Sequence, residues 1–329
     1  MTQETLLVVG GAGYIGSHMV KMLAQAGYGV VVLDNLCTGF ADAARYGTLV
    51  VGDLADPVAL KALFTAHEFA AVLHFAALSQ VGESVQAPDR YYRNNVANTL
   101  NLLDTMVRHQ VQRFIFSSTA AIFGEPESAT ITEAHPQRPI NPYGRSKRMV
   151  EEILADYGHS FGLRSVALRY FNAAGADPEG ELGERHDPES HLIPLILQAA
   201  SGRRSQIAVF GTDYPTRDGT CIRDYIHVWD LCQAHLLALQ HLLADGESLA
   251  LNLGNGLGFS VQEVIDGAGR VTGRKIPVRQ EARRAGDPAT LVADSAQARE
   301  RLGWQPEYAD LDTILAHAWA WEQQKGKRW

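Results

Sequence analysis

Gly10-Gly11-Ala12-Gly13-Tyr14-Ile15-Gly16 follows directly on an apolar run, Leu6-Leu7-Val8-Val9, and 18 residues beyond the last of these glycines Asp34 closes a second apolar run, Val30-Val31-Val32-Leu33. This pattern predicts a strand, a tight turn and a helix whose N-terminus is open to a ligand. Backbone N–H groups and the positive end of the helix dipole then converge where a phosphate can sit. Gly10, Gly13 and Gly16 serve the tight turn, the close approach of the backbone to a pyrophosphate, and the packing of helix on strand. The helix runs to about Ala26, with His18, Met19, Met22 and Leu23 on a mostly apolar face, and Gly27 ends it. Asp34 is placed to accept hydrogen bonds from adenosine ribose hydroxyls and to repel a 2′-phosphate, so the expected dinucleotide is NAD in preference to NADP.

Further apolar runs alternate with longer amphipathic segments: 49–51 precedes 57–66, 71–75 precedes 88–109, 114–116 precedes 143–161, and 166–168 closes the series. Strands buried on both faces read as continuous apolar runs, and helical crossovers between them require parallel pairing. The expected fold class is therefore α/β, a doubly wound parallel sheet that collects ligands at the carboxyl ends of its strands. The pattern changes after Asn172. Residues 173–190 are rich in Gly, Pro, Asp and Glu, and short strands at 207–210, 249–253 and 276–278 then mix with helices at 193–201, 261–271 and 311–324. Two units are expected, as the length suggests at ~150 residues per domain. The nucleotide domain spans 1–172, with about 224–245 returning to it, and a smaller mixed α/β substrate lobe spans 173–329.

Tyr143-Gly144-Arg145-Ser146-Lys147 opens a predicted helix after Pro142. Residues four apart share a helix face, so the phenol and the ammonium point to one cleft, where the positive charge is expected to lower the phenol pKa and make Tyr143 a usable base. Thr119, at the end of the predicted strand 114–118, can place a hydroxyl between that tyrosine and a substrate.

Several function classes are disfavoured. A net charge of −8 without a basic run argues against nucleic acid, and no stretch approaches the about 18 consecutive apolar residues of a membrane span. The N-terminal apolar runs are short and broken by glycine, and read as strands and not as a signal peptide. Cys37, Cys221 and Cys232 contain no CxxC, which points to reduced thiols and a cytoplasmic location. No metal is expected: His74 and His227 read as core histidines, and His186 and His191 lie in an acidic stretch that could hold a cation adventitiously. Trp304, Trp319, Trp321 and Trp329 are expected to pack the last helices, and Glu151 and Glu152 to form a solvated helix face.

The chain resembles the extended short-chain dehydrogenase/reductase superfamily and, within it, the UDP-glucose 4-epimerase family. The resemblance runs through Gly-Gly-Ala-Gly-Tyr-Ile-Gly-Ser-His (10–18), Asp-Asn-Leu (34–36), Gly-Asp-Leu (52–54), His-Phe-Ala-Ala (74–77), Val-Gly-Glu-Ser (81–84), Tyr-Tyr-Arg-Asn-Asn-Val (91–96) and Arg-Tyr-Phe-Asn (169–172). More specific are Asp-Tyr-Pro-Thr-Arg-Asp-Gly-Thr (213–220), Arg-Asp-Tyr-Ile-His-Val (223–228) and Arg-Arg-Ala-Gly-Asp-Pro-Ala (283–289). It implies a Rossmann-type sheet and tightly bound NAD contacted by Gly10, Gly13, Tyr14, Ile15, Gly16, Asp34, Asn35, Asp53, Leu54, Phe75, Ala76, Ala77, Asn95, Ser117, Tyr143, Lys147, Tyr170 and Phe171. It implies UDP-glucose and UDP-galactose as substrates, held by Asn172, His191, Leu192, Ala208, Phe210, Arg223, Arg284, Asp287 and Leu291, with Thr119 and Tyr143 at the sugar and Lys147 assisting catalysis. A homodimer paired through the segment after Pro88 and the Tyr143 helix is implied as well. Two positions bear on the site: Ser79 stands where many relatives carry a lysine near the cofactor, and Leu291 where some relatives have a bulky tyrosine beside the hexose and others a smaller residue, which leaves N-acetylated sugars open. The alternatives are a nucleotide-sugar 4,6-dehydratase, which needs a carboxylate just after the threonine where this chain has Ala120-Ala121, a UDP-uronate decarboxylase or epimerase, and a non-catalytic NAD-binding regulator.

Overall fold

The computed structural model describes residues 3–128, 130–284 and 287–328. Strand β1 (Thr5–Val9) leads through the glycine turn into α1 (Tyr14–Gln25), followed by β2 (Gly29–Asp34), β3 (Thr48–Val51), α2 (Pro57–Ala66) and β4 (Phe69–His74). Next come α3 (Val81–Gln86), α4 (Pro88–Tyr91), a π-helical stretch (Tyr92–Ala97), α5 (Asn98–Arg108), β5 (Arg113–Thr119), α6 (Pro142–Phe161) and β6 (Arg164–Tyr170). The remainder comprises β7 (Asn172–Ala174), α7 (Leu192–Ser201), β8 (Ile207–Phe210), β9 (Ile222–Arg223), β10 (Tyr225–His227), α8 (Val228–Leu243) and β11 (Leu249–Leu253). Last are β12 (Phe259–Ser260), α9 (Val261–Thr272), β13 (Val278–Glu281), β14 (Thr290–Leu291), α10 (Ala296–Leu302) and α11 (Leu311–Arg328).

Seven strands form one sheet in the order β11-β6-β5-β4-β1-β2-β3, every neighbouring pair parallel. Alternation along β1 explains why its sequence is apolar throughout. Leu6 and Val8 enter a core shared with α1 and α8, while Leu7 and Val9 enter another shared with α2, α5 and α6. A third core joins Ile193, Ile196 and Leu197 of α7 to Val209, Val264, Ile265, Ile314 and Leu315. Among the described residues, no helix is long and apolar enough to cross a membrane.

Three expectations are corrected. Residues 249–253, read as part of the smaller lobe, form β11 at the edge of the large sheet, in register with β6 from Leu249↔Val166 to Leu253↔Tyr170. An isolated apolar run fits either sheet, and the placement follows from α8, whose Leu231, Ala238 and Leu242 pack against the same core as α1 and so carry the chain back beside β6. Within the stretch from Asp224 that is expected to rejoin the first domain, α8 does so, packing on the core of the large sheet, and only β10 differs, pairing with β7 in a separate two-stranded sheet. The strand expected at 276–278 begins at Val278, where it pairs with Ile207. Trp304 is buried in the α1/α8 core and donates from Nε1 to the Asp230 carbonyl at 2.9 Å, Trp321 is buried and donates to the Glu184 carbonyl at 3.0 Å, and Trp319 packs on the third core. Trp329 lies outside the described residues.

Candidate active site

The glycine turn forms a cradle that side chains would fill. A Cβ on Gly16 would lie 2.1 Å from the Gly10 carbonyl oxygen, and one on Gly10, at φ +79°, 2.5 Å from the Ala76 nitrogen. Backbone therefore meets backbone here, at the carboxyl ends of β1 and β4. Gly13 precedes α1 without any side-chain cap, leaving its first turn open to an external acceptor. Asp34 Oδ2 accepts from the Ala12 N–H at 2.9 Å and Oδ1 from the Leu36 N–H at 2.8 Å, which fixes the carboxylate beside the turn. Asn35 donates to Asp53 Oδ2 at 2.9 Å, so the ends of β2 and β3 share a polar rim. The residues present fit a dinucleotide: an uncapped helix start for its phosphates and an acid for its ribose.

Other expected cofactor residues divide between the cradle and its support. Phe75, Ala76 and Ala77 follow β4 beside Gly10, and the Phe75 ring lies 4.9 Å from His235. Leu54 is buried, its carbonyl held by Asn101. Asn95 uses its buried amide on both the N–H (2.9 Å) and the carbonyl (3.0 Å) of Leu78 and on the Ser146 hydroxyl, tying the loop after β4 to α6. The Tyr14 side chain points toward the 173–190 segment, donating to the Gly175 carbonyl at 2.8 Å and packing edge-on against His18 and His186. Burial pushes its phenol well above the ordinary range.

Asn141 caps α6 by accepting from the Gly144 N–H at 2.8 Å, with Pro142 at the first helical position. A Cβ on Gly144 would lie 2.4 Å from the Ala121 carbonyl oxygen, so glycine lets α6 press against the turn that follows β5. That contact brings Tyr143 beside Thr119, whose hydroxyl favours the phenolate and accepts from the Ala121 N–H at 3.1 Å. One helical turn on, Lys147 is buried and donates to the Ser117 carbonyl at 2.7 Å, its Nζ 4.7 Å from the centre of the Phe116 ring. The Ser117 hydroxyl meets His235 Nε2 at 3.2 Å.

The electrostatics correct a further expectation. Burial raises the Tyr143 phenol above its ordinary value, opposed by the Thr119 hydroxyl. Burial likewise drives Lys147 down to about 7, with Glu151 pulling the other way. The desolvation that both groups share outweighs the attraction of the lysine charge for a phenolate.

On the far side of the cleft, Leu291 of β14 pairs with Arg223 of β9, and Phe171 and Leu291 both pack against Ala120, Ile122, Phe123 and Ile131, the turn behind Thr119. The Arg223 guanidinium donates to the Ile222 and Pro288 carbonyls at 2.8 and 2.9 Å, and Asp287 lies between Arg223 (3.8 Å) and Arg284 (2.9 Å). Arg284 stacks 4.8 Å over Phe210 at the end of β8, two residues beyond Ala208. Asn172 donates to the Asp224 carbonyl at 2.9 Å, and Leu192 begins α7, with His191 before it bonded to Glu184. Ala285 and Gly286, within the quoted run 283–289, lie outside the described residues.

Two organising groups were not legible beforehand. Asp224, fully buried, accepts from the N–H groups of Asn255 (2.8 Å), Gly256 (3.0 Å) and Ala293 (3.1 Å), joining β9, β14 and the loop after β11. Glu151, read as solvated, forms a bidentate pair with Arg169, with contacts of 2.6 and 3.1 Å, and accepts from Ser118. An acid on a helix looks solvated until the strand behind it brings an arginine; Glu152, by contrast, pairs with Arg148 at the surface.

The chain belongs to the NAD dependent epimerase/dehydratase family, whose model matches residues 6–254. Within that class it is 53% identical to the UDP-glucose 4-epimerase of Halalkalibacterium halodurans over 97% of this chain and 96% of that one. It is 51% identical to the UDP-glucose 4-epimerase of Rhizobium meliloti over 99% of both. The crystal structure of the Brucella ovis UDP-glucose 4-epimerase in complex with NAD superposes with a TM-score of 0.94 at 54% identity, covering 96% of this chain and 97% of that one.

Proposed function

We propose that this chain interconverts UDP-galactose and UDP-glucose by inverting C4 of the hexose, with NAD retained throughout. The observation that carries this reading is the convergence of the Tyr143 phenol, the Thr119 hydroxyl and Lys147 at the carboxyl end of β5, in the same sheet as the glycine cradle. NAD, when bound, supplies an acceptor and donor of hydride at C4 and, in its oxidised form, a positive charge near the phenol. Gly10, Gly13, Ile15 and Gly16 would hold its pyrophosphate, Asp34 and Asn35 its adenosine ribose, and Lys147 and Tyr143 its nicotinamide half.

Tyr143 takes the proton of the C4 hydroxyl, directly or through Thr119, and returns it when the ketone is reduced from its other face. Burial works against the phenolate, so positive charge on this face is needed. Lys147 stands near its titration point at neutrality, and hydroxyl acceptors from cofactor or sugar would stabilise its ammonium form. Arg223 and Arg284 grip the diphosphate of the substrate, Asp287 its ribose, and Asn172, His191, Leu192, Ala208 and Phe210 the rest of the nucleotide. Concentrating affinity in the diphosphate leaves the 4-keto ring free to turn before reduction. Thr119 is followed by Ala120, Ala121, Ile122 and Phe123, which supply no carboxylate for eliminating water. Leu291, packed on that same turn, is the position expected to govern N-acetylated hexoses.

A homodimer through the segment after Pro88 and α6 fits the exposed apolar Met149 on α6, and the exposed Val81 and Val85 of α3 immediately precede that segment. A cytoplasmic location fits the three free thiols. The test is to incubate the purified chain with UDP-galactose and no added nicotinamide: UDP-glucose should form, and Tyr143→Phe should keep its NAD and lose most turnover. Conversion that depends on an outside supply of nicotinamide would sink the reading.

A further inference from the structure

The segment between β7 and α7 gathers Glu184, His186, Glu189 and His191, each offering one carboxylate oxygen or imidazole nitrogen, with those atoms all within 4.8 Å of one another. His186 Nδ1 stands 3.0 Å from Glu184 Oε1, and His191 Nδ1 meets the same oxygen. Glu189 Oε1 lies 3.7 and 3.9 Å from the two nitrogens and accepts from the N–H groups of Ser190 and His191 at 2.9 and 3.0 Å. Both carboxylate side chains are only 5% exposed.

An independent observation turns this cluster into a candidate site. Glu189 Oε2 is buried without any hydrogen-bond partner. A carboxylate oxygen left in that state is unfavourable, and a cation held by both Glu189 oxygens, Oε1 already facing the two imidazoles, removes the deficit. Two carboxylates balance a dication, and two imidazoles with two carboxylates are a ligand set suited to a borderline transition metal.

We propose that Glu184, His186, Glu189 and His191 form a binding site for one divalent transition cation of the zinc type. With four protein ligands the site is closed, so its role is structural and not catalytic. It would tie three elements together. The Glu184 carbonyl accepts from Trp321 of α11, the His186 ring meets the Tyr14 ring of α1 edge-on at 6.4 Å, and His191 immediately precedes α7. The site would therefore fasten the start of α7, with Leu192, to the nucleotide domain.

The full-length chain with its NAD, treated with a chelator and then titrated with Zn2+ against a chromophoric chelator, is expected to take up one equivalent per chain. Co2+ should give the visible bands of a tetrahedral site, and Zn2+ should raise the melting temperature. Glu189→Gln, which keeps the side-chain size, should weaken Zn2+ binding at least about tenfold, and His186→Ala at least as much. In the unsubstituted chain, Zn2+ should also shift the ring resonances of His186 and His191. No stoichiometric uptake, uptake indifferent to both substitutions, or unshifted histidine resonances would each overturn the site and leave an ion-pair cluster or an adventitious ion only.

Discussion

Acid is expected to unfold this protein between pH 6.5 and 4.5, because four histidines are buried neutral. His18, His74, His227 and His235 are at most 1% exposed. Burial pulls their imidazoles from 6.5 down to about 4, 3, 3 and 4. Lys147 adds to the effect on His74, and His317 to that on His227. Local partners suit neutral rings: His18 Nδ1 faces the Tyr14 carbonyl at 2.7 Å, His235 Nδ1 the Leu231 carbonyl at 2.8 Å, and His227 Nδ1 accepts from the Trp229 N–H at 3.0 Å. Since the folded-state values are depressed, the unfolded chain binds more protons between about 4 and 6.5. The stability these groups carry is complete above pH 6.5 and lost as pH falls toward the folded values. Four such groups give a limiting slope of about 5.5 kcal/mol per pH unit. From pH 6.5 to 4.5 the loss is a little over 2 kcal/mol per histidine and about 9 kcal/mol in all, comparable with the whole stability of about 5–15 kcal/mol of a typical domain. Guanidinium midpoints at half-unit pH steps, at fixed ionic strength and NAD, would trace the slope, and a pH-stat would count protons taken up on unfolding. The four histidines take up near four at about pH 5, and Asp230, pushed up to about 6 by burial, releases nearly one. A net uptake near three should therefore appear, and one fewer in His235→Gln. Flat stability across that window, or an uptake below two, would refute the reasoning.

Other perturbations follow from the same geometry. Gly16→Ala places a Cβ 2.1 Å from the Gly10 carbonyl, so NAD measured after denaturing the purified variant should fall to a small fraction of the native content. Glu151→Ala leaves Arg169 buried and unpaired and should lower stability by about 3–5 kcal/mol in urea titrations, whereas a change below about 1 kcal/mol would show the pair to be dispensable. Arg284→Ala should raise KM for UDP-galactose about 10–100-fold, as expected for losing a charged hydrogen bond, with kcat far less affected; an equal loss in kcat would move Arg284 to the reacting end of the substrate.

What the amino-acid order alone determined lies within short windows. The glycine turn, the acid that ends β2, the two-sided apolar strands and the Tyr143/Lys147 spacing are each written within about 20 residues, because turn sterics, strand alternation and helix periodicity are local properties. The same locality accounts for the helix starts at Pro57 and Pro142, where Asp56 and Asn141 cap the first turn. Tertiary structure decided whatever depends on residues distant in the chain. It set β11 against β6, gave Glu151 its arginine, and made Asp224 the acceptor for three separate N–H groups. It also buried Lys21 among Asp177, Glu179 and Glu181, over 150 residues away, in a helix whose sequence reads as mostly apolar. Desolvation reversed the expected shift at Tyr143 in the same way, since how much water a group loses is set by all of its neighbours at once and not by the residue four places along its helix.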